Sequence, residues 1–337
     1  MSYHKQVALI AAGRIGKMYG QLLAKHFPDY RLKTVVDKYQ SKSDLEKEGI
    51  KAERVTADLD VVLDDEKIDR VIVAASTPSH ITLCKKLAQA GKHILCEKPL
   101  SFDSDEITQL SEHIKKTDSK LQVAYVRRFD PDYAELKKRI EKGVLGDIHM
   151  IKIVNRDPIR PDMKFAKNSG GIFLDFLVHD FDMVHFLTGQ RIKKVYAMGE
   201  CNIEPELKTY NDYDTVMAML RTENDILVHV DCSRETLYGY DQRIEVFGSK
   251  CCLRAENKTE FNIMQFQGDS VISCPPKFDY QTRYYDAFVA QIRSFFDCID
   301  NNTPHPAVTA EDAALSVKVA IACAASCEQE QPVSINY

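Results

Sequence analysis

A short apolar run that breaks on a glycine and passes at once into a helical pattern is the feature that most restricts how this chain can fold. Val7 to Ala12 reads as a buried strand, Gly13 interrupts it, and Ile15 to His26 repeats apolar residues at helical spacing. The rhythm then recurs. Leu32 to Asp37 reads as a second strand, Val71 to Ala75 and Ile94 to Cys96 are apolar runs each followed by a helical pattern, and Leu121 to Tyr125 is a further strand. Strands that are apolar throughout, rather than alternating, need cover on both faces, which a parallel sheet flanked by helices provides. Residues 1–125 are therefore expected to form an N-terminal doubly wound domain of Rossmann type in an α/β protein.

After Tyr125 the pattern changes. A polar helix over Pro131 to Lys142 precedes a strand at His149 to Val154 and a helix from about Gly171 to Leu187. Between Lys193 and about Phe266 only strand patterns occur, among them Thr215 to Leu220, Ile226 to Val230 and Arg243 to Phe247. Two helices follow, Tyr284 to Cys298 and Ala310 to Cys327, the second entered through a Thr309-x-Glu311 capping sequence. Consecutive strands with few helices between them predict a large, mostly antiparallel open sheet. Residues 126–337 are read as a C-terminal α+β domain for substrate binding and oligomerisation, with the helix at about 310–327 a candidate to pack back on the first domain.

Composition removes several classes of function. The 337 residues are 44% hydrophobic with a formal charge of -5 and charges of both signs interspersed, which lacks the concentrated basic surface that nucleic acid requires. Arg127-Arg128 is too short a cluster to alter that. No stretch approaches the roughly 18 apolar residues of a membrane helix, and the polar start Met-Ser-Tyr-His-Lys-Gln carries no secretory core, so a cytoplasmic protein without a membrane partner is expected. Of the ten cysteines, residues such as Cys84, Cys96, Cys232 and Cys323 fall inside apolar patterns and read as reduced core thiols. Cys323-x-x-x-Cys327 and Cys251-Cys252 lack a second ligand pair, so no metal is expected.

The turn after the first strand reads Ala11-Ala12-Gly13-Arg14-Ile15-Gly16, a dinucleotide fingerprint whose first glycine has become alanine. Gly13 lets the backbone approach a pyrophosphate, Gly16 lets helix and strand pack closely, and the helix N-terminus offers N–H groups to the anion. The methyl group of Ala11 is tolerated if that residue has negative φ. Asp37, about 20 residues on at the end of the second strand, can accept from ribose hydroxyls and repel a 2′-phosphate. NAD is thus the expected cofactor.

Two further segments carry chemistry. Cys96-Glu97-Lys98-Pro99 closes a buried strand at its carboxyl end, where open α/β sheets bind ligands. In Gly170-Gly171-Ile172-Phe173-Leu174-Asp175-Phe176-Leu177-Val178-His179-Asp180-Phe181-Asp182, helical spacing puts Asp175, His179 and Asp182 on one face and Leu174, Leu177 and Phe181 on another.

With the fingerprint, these motifs resemble the glucose-fructose oxidoreductase, inositol dehydrogenase and rhizopine catabolism (Gfo/Idh/MocA) family over almost the whole chain. Ala75-Ser76-Thr77-Pro78-Ser79-His80, Arg127-Arg128-Phe129-Asp130-Pro131, Arg156-Asp157-Pro158 and Tyr238-Gly239-Tyr240-Asp241-Gln242-Arg243 extend the match, the last three looking most like inositol dehydrogenases. The resemblance implies an NAD-dependent dehydrogenase that oxidises a secondary hydroxyl of a cyclic polyol, with Lys98, Asp175 and His179 as the catalytic set. It places the cofactor against Ala11, Gly13, Arg14, Ile15, Gly16, Asp37, Ser76, Thr77, Pro78, His80, Glu97 and Lys98. For the substrate it implies Lys98, Arg127, Asn155, Asp157, Asp175, His179, Tyr238 and Tyr284, and for assembly a homodimer or homotetramer. Histidine suits the role of base and lysine that of stabilising alkoxide charge. Departures include Tyr19, where many relatives carry histidine, and His185-Phe186 in place of Arg-Trp. A sugar dehydrogenase acting on an aldose, a non-catalytic NAD-binding regulator, and an enzyme that regenerates bound NAD in each cycle are the competing readings.

Overall fold

The computed structural model describes residues 5–337, which fall into two compact units, one taking the chain up to residue 125 with 289–314, the other 126–288 with 315–337. In the first unit β1 (Lys5–Ile10), α1 (Arg14–His26), β2 (Tyr30–Val36), α2 (Lys42–Lys47), β3 (Arg54–Thr56), α3 (Asp60–Leu63), β4 (Ile68–Val73), α4 (Thr77–Gln89), β5 (His93–Cys96), α5 (Ser104–Ile114) and β6 (Leu121–Val123) alternate along the chain. The six strands are all parallel in the order β3-β2-β1-β4-β5-β6. That is the Rossmann order, with its reversal of direction between β1 and β4. Val71, Ile72, Val73, Ile94, Leu95 and Cys96 are fully buried, as strands covered on both faces must be. The short β3 and α2 were not visible as patterns, because three strand residues and six helical ones are too few to show a period.

The second unit holds a 3₁₀ turn at Val126–Phe129, then α6 (Pro131–Glu141), β7 (Ile148–Arg156), α7 (Met163–Ala166), a π-turn at Phe173–Leu177 and α8 (Val178–Thr188), with a second 3₁₀ segment at Pro205–Tyr210. β8 (Ile192–Glu200), β9 (Thr215–Thr222), β10 (Leu227–Ser233), β11 (Asp241–Gly248) and β12 (Cys252–Ala255) follow, then the hairpin β13 (Met264–Gln267) and β14 (Ser270–Ser273). The seven-stranded sheet runs β12-β11-β7-β10-β9-β8-β15, where β15 is Val333–Ser334, and only β7 and β10 pair in parallel. One face is buried and the other is open: in β9 Val216, Ala218 and Leu220 are buried while Met217 and Met219 are exposed.

Helices α9 (Tyr280–Arg283), α10 (Tyr285–Asp300) and α11 (Ala310–Gln329) complete the chain. Tyr284 ends α9 rather than opening α10. The reciprocal cap of α11 uses Asp312 in place of Glu311: Thr309 Oγ1 accepts from the Asp312 amide at 3.2 Å and Asp312 Oδ2 accepts from the Thr309 amide at 2.9 Å. The acidic partner must sit three residues along to reach back, which Asp312 does. All ten cysteines are free thiols, Cys84, Cys96, Cys232 and Cys323 among the buried ones. Among the described residues no helix is long and apolar enough to cross a membrane, and no group of three His, Cys, Asp or Glu side chains is arranged to hold a metal ion.

Candidate active site

In the first unit three segments gather at the carboxyl ends of adjacent strands: the Gly13 turn after β1, Ser76 to Pro78 after β4, and Glu97-Lys98 after β5. Ala11 stands at φ +66°, in the left-handed region, so the condition of negative φ under which its methyl group would be easily tolerated is not met. The turn needs that conformation, and alanine occupies it at the steric cost that glycine would have avoided. Gly16 has no such latitude, since a Cβ there would lie 2.0 Å from the Ala11 carbonyl oxygen. At Gly13, which precedes α1, an added Cβ would meet nothing within 4 Å. Arg14 is exposed and Ile15 half-buried beside it.

Asp37 holds the same turn. Its Oδ2 accepts from the Ala12 amide at 2.7 Å, and its Oδ1 from the amides of Tyr39 at 2.7 Å and Gln40 at 3.0 Å. A carboxylate offers about four acceptor positions, so capacity remains for a ribose hydroxyl.

Ser76 precedes α4, with Thr77 and Pro78 in its first turn. His80, expected at the cofactor, is only 1% exposed; its Nδ1 lies 2.9 Å from the Pro99 carbonyl and its Nε2 2.9 Å from the Ala75 carbonyl. It thus ties the β4–α4 loop to the Lys98-Pro99 segment from beneath. Burial pushes its imidazole below the ordinary histidine range, against the pull of the two carbonyls. Glu97 is half-buried and raised above the ordinary carboxyl range by desolvation; Tyr19 donates to its Oε1 at 2.7 Å, and the Lys98 amide donates to its Oε2 at 3.2 Å. Gln291 donates to the Tyr19 hydroxyl at 2.9 Å. Tyr19, visible in the sequence only as a departure from relatives, is therefore the group that seats the residue before Lys98.

In the second unit Asp175 lies within the π-turn and His179 in the first turn of α8, and both are partly open to solvent, His179 between the buried Val178 and Asp180 and Asp175 between the half-buried Leu174 and the buried Phe176. The expectation that Asp182 shares their face is corrected: it is 1% exposed and accepts a forked pair from Arg128, 2.6 Å from Nη2 and 2.9 Å from Nε. The wider i→i+5 turn advances each residue by less than the α-helical angle, so a face drawn at α-helical spacing drifts before reaching Asp182. Leu174, assigned to the packing face, is likewise only half-buried, while Leu177 and Phe181 are fully buried.

Directly after His179, the buried Asp180 accepts from Arg127 Nη1 at 2.6 Å and from Asn155 Nδ2 at 2.5 Å. Gln242 donates to Asn155 Oδ1 at 2.6 Å, and Tyr284 to Gln242 Oε1 at 3.4 Å. Burial raises the Asp180 carboxyl above its usual range, opposed by the Arg127 guanidinium. Arg127, Asn155 and Tyr284, all expected at the substrate, thus belong to one buried network, in which Arg127 Nη2 is left without a hydrogen-bond partner. Tyr238 is 44% exposed; its hydroxyl donates to Asp241 at 2.8 Å and accepts from Arg156 at 3.1 Å. Asp157 is half-buried where the chain leaves β7, its amide bonded to the Ser233 carbonyl at 2.9 Å.

Comparison with known proteins bears on both units. Residues 5–125 match the model of the oxidoreductase family with an NAD-binding Rossmann fold, and residues 133–254 match the Gfo/Idh/MocA C-terminal domain. The chain is 33% identical to the myo-inositol 2-dehydrogenase of Thermotoga maritima over 331 residues, covering 98% of each protein. The chain belongs to the Gfo/Idh/MocA oxidoreductases. It is also 32% identical to the NAD(+)-dependent scyllo-inositol 2-dehydrogenase of Bacillus subtilis, over all of this chain and 98% of that protein. A crystal structure of scyllo-inositol dehydrogenase from Lactobacillus casei with bound NAD(H) and scyllo-inositol superposes with a TM-score of 0.90 at 27% identity, covering 98% of each chain.

As a Gfo/Idh/MocA oxidoreductase the protein takes NAD as its cofactor, and the residues of the first unit fit it. The open space over Gly13 suits a pyrophosphate, and α1 has no acidic side chain in its first turn to repel one. Asp180, Gln242 and Tyr19 are site-supporting residues that sequence patterns did not single out. Asp180 and Gln242 sit inside quoted motifs, but only the folded chain shows that both bond Asn155.

Proposed function

We propose that this Gfo/Idh/MocA oxidoreductase oxidises a secondary hydroxyl of a cyclic polyol, an inositol, to the corresponding ketone (inosose), with NAD as the acceptor. The observation that carries this reading is the turn holding Asp175 and His179, both partly open to solvent while Phe176, Leu177, Val178 and Asp180 around them are buried. Similarity over nearly the full length to dehydrogenases named for myo- and scyllo-inositol supports the substrate class. So does the unpartnered Arg127 Nη2, a buried donor suited to a ligand hydroxyl.

NAD, when bound, supplies the hydride acceptor. His179 takes the hydroxyl proton as general base, and Asp175 orients the imidazole and balances its positive charge. Lys98 donates to the substrate oxygen and stabilises developing alkoxide charge. Arg14, Ile15, Ser76, Thr77 and Pro78 line the cofactor seat, His80 and Glu97 holding its floor, and Asp37 selects NAD over NADP. Asp157 and Tyr238 add hydrogen-bonding groups for a polyol.

The open sheet face carries Met198, Met217, Met219 and Phe247, between 48% and 63% exposed, and is the surface on which a homodimer or homotetramer would form. A panel of myo-, scyllo- and chiro-inositol with aldoses, aliphatic alcohols and 2-hydroxy acids, each with NAD and with NADP, tests the activity through the absorbance of reduced cofactor. Turnover of an inositol with NAD is expected. Inert inositols alongside an active hydroxy acid or aldose would overturn the substrate assignment.

A further inference from the structure

We infer that Arg234 is a positioning residue for Asp175, holding the π-turn in the geometry the reaction uses; the inference rests on the assignment of Asp175 to the reaction. Arg234 follows β10 and is 1% exposed. Its Nη1 lies 3.6 Å from Asp175 Oδ2, and its Nη2 donates to Asp212 Oδ2 at 3.4 Å. Asp212, 3% exposed, uses its other oxygen to accept from the Ile172 amide at 2.7 Å and the Tyr213 amide at 2.8 Å. Ile172 is the residue before the π-turn. A Cβ on Gly171, which stands at φ +80°, would lie 3.0 Å from Asp212 Oδ1, so the glycine permits the close approach.

These contacts form a clamp. Asp212 grips the entrance of the π-turn, and Arg234 links Asp212 to the carboxylate that the turn presents. Arg234 is itself tied to the sheet side of the unit, its amide donating to the Asp214 carbonyl at 2.8 Å. A π-turn departs from regular helical bonding and occurs mostly at functional sites, where outside contacts must keep it in place. A guanidinium is well suited to this, being planar and permanently charged.

Stability alone does not explain the arrangement. Burying an arginine whose Nε has no hydrogen-bond partner costs free energy. The one buried cation also faces two carboxylates, of which Asp175 is the more open at 20% side-chain exposure against 3% for Asp212. The clamp therefore holds a carboxylate on the accessible side of the turn.

The test compares Arg234→Met, Arg234→Lys and Asp175→Asn, alone and combined, in the full-length protein with NAD and myo- or scyllo-inositol, alongside hydrogen exchange of the amides at 172–178. In Arg234→Met kcat should fall about 10²-fold, the scale for a group misplaced by about 1 Å, with the polyol KM changed less than about threefold. Arg234→Lys should recover part of the loss, both variants should exchange faster at 172–178, and the loss should largely vanish in the Asp175→Asn background, since residues that act as a unit are not additive. A folded Arg234→Met protein with kcat within about twofold of wild type, or with the same loss in both backgrounds, overturns the inference. Should Arg234→Met not fold, Arg234→Lys decides by the same criteria. If the wild type oxidises no polyol, the proposed function fails separately, and unchanged exchange at 172–178 in Arg234→Lys would then overturn the clamp.

Discussion

The two units of this oxidoreductase seat their candidate site residues by different means. In the first, the Gly13 turn, Ser76 to Pro78 and Lys98 follow buried strands of a parallel sheet, and strand order alone brings their segments side by side. Its ion pairs keep a member open to solvent, as where Asp300, 19% exposed, meets the exposed Lys5 at 2.6 Å and the buried Arg70 at 2.8 Å. In the second, Asp175 and His179 sit on a helix opened by a π-turn, with charges beneath it that are almost wholly buried: Arg127 with Asp180 and Arg128 with Asp182, both at 2.6 Å, and Arg234 with Asp212 at 3.4 Å. Sheet topology positions residues cheaply but only at strand ends. An irregular helical turn can present two groups elsewhere, at the cost of buried charge.

The strongest test of this contrast replaces one proposed reacting group from each unit. His179→Ala and Lys98→Ala should each lower kcat by about 10²-fold or more while leaving NADH binding, followed by fluorescence titration, nearly unchanged. Full turnover in a folded His179→Ala protein would remove the second unit from the chemistry.

Next in size are the charges themselves. Asp180→Asn strips the partner from a guanidinium whose side chain is 3% exposed and should cost about 3–5 kcal/mol, read as a large fall in Tm. Asp300→Asn in the first unit should cost less, about 1 kcal/mol, because solvent reaches Asp300 and the buried Arg70 keeps Asp69 as a partner. Equal losses would erase the distinction between the units.

The Asp300 variant also carries a pH signature. Burial pushes the Asp300 carboxyl up, but hydrogen bonds from Lys5, Tyr30 and Arg70 outweigh it and hold it at about 2, below its ordinary 3.8. A depressed carboxyl contributes stability that is fully present above its unfolded value and lost as pH falls through the folded one. Wild-type Tm should therefore drop between about pH 4 and pH 2 more steeply than that of Asp300→Asn.

Smaller effects are expected at the cofactor turn. Asp37→Ala should relax the preference for NAD over NADP, seen in the ratio of kcat/KM values, and a wild-type preference for NADP would contradict the role given to Asp37. Ala11→Gly should relieve the left-handed alanine and stabilise the protein by up to about 1 kcal/mol, with NAD affinity unchanged or modestly tighter. A large loss of affinity would mean that the turn depends on the methyl group.

The Rossmann sheet, the fingerprint turn, Asp37 and the change to an antiparallel sheet after residue 125 were all legible in the sequence. Each is written in local period and composition: unbroken apolar runs for doubly covered strands, alternation for a sheet with one open face, glycine where backbone must come close. The motifs around Lys98, Asp175 and His179 were legible too, through family resemblance. What only the tertiary structure decided is which residues support those motifs. The positive φ of Ala11, the inward His80, the Tyr19 bond to Glu97, the loss of Asp182 to Arg128 and the clamp of Arg234 on Asp212 depend on the packed backbone, on partners between 5 and 78 residues away in sequence, or on a π-turn that shifts helical phase. Local patterning reports how often a side chain turns toward the core; which neighbour it meets there is set only when strands and helices from distant parts of the chain have packed.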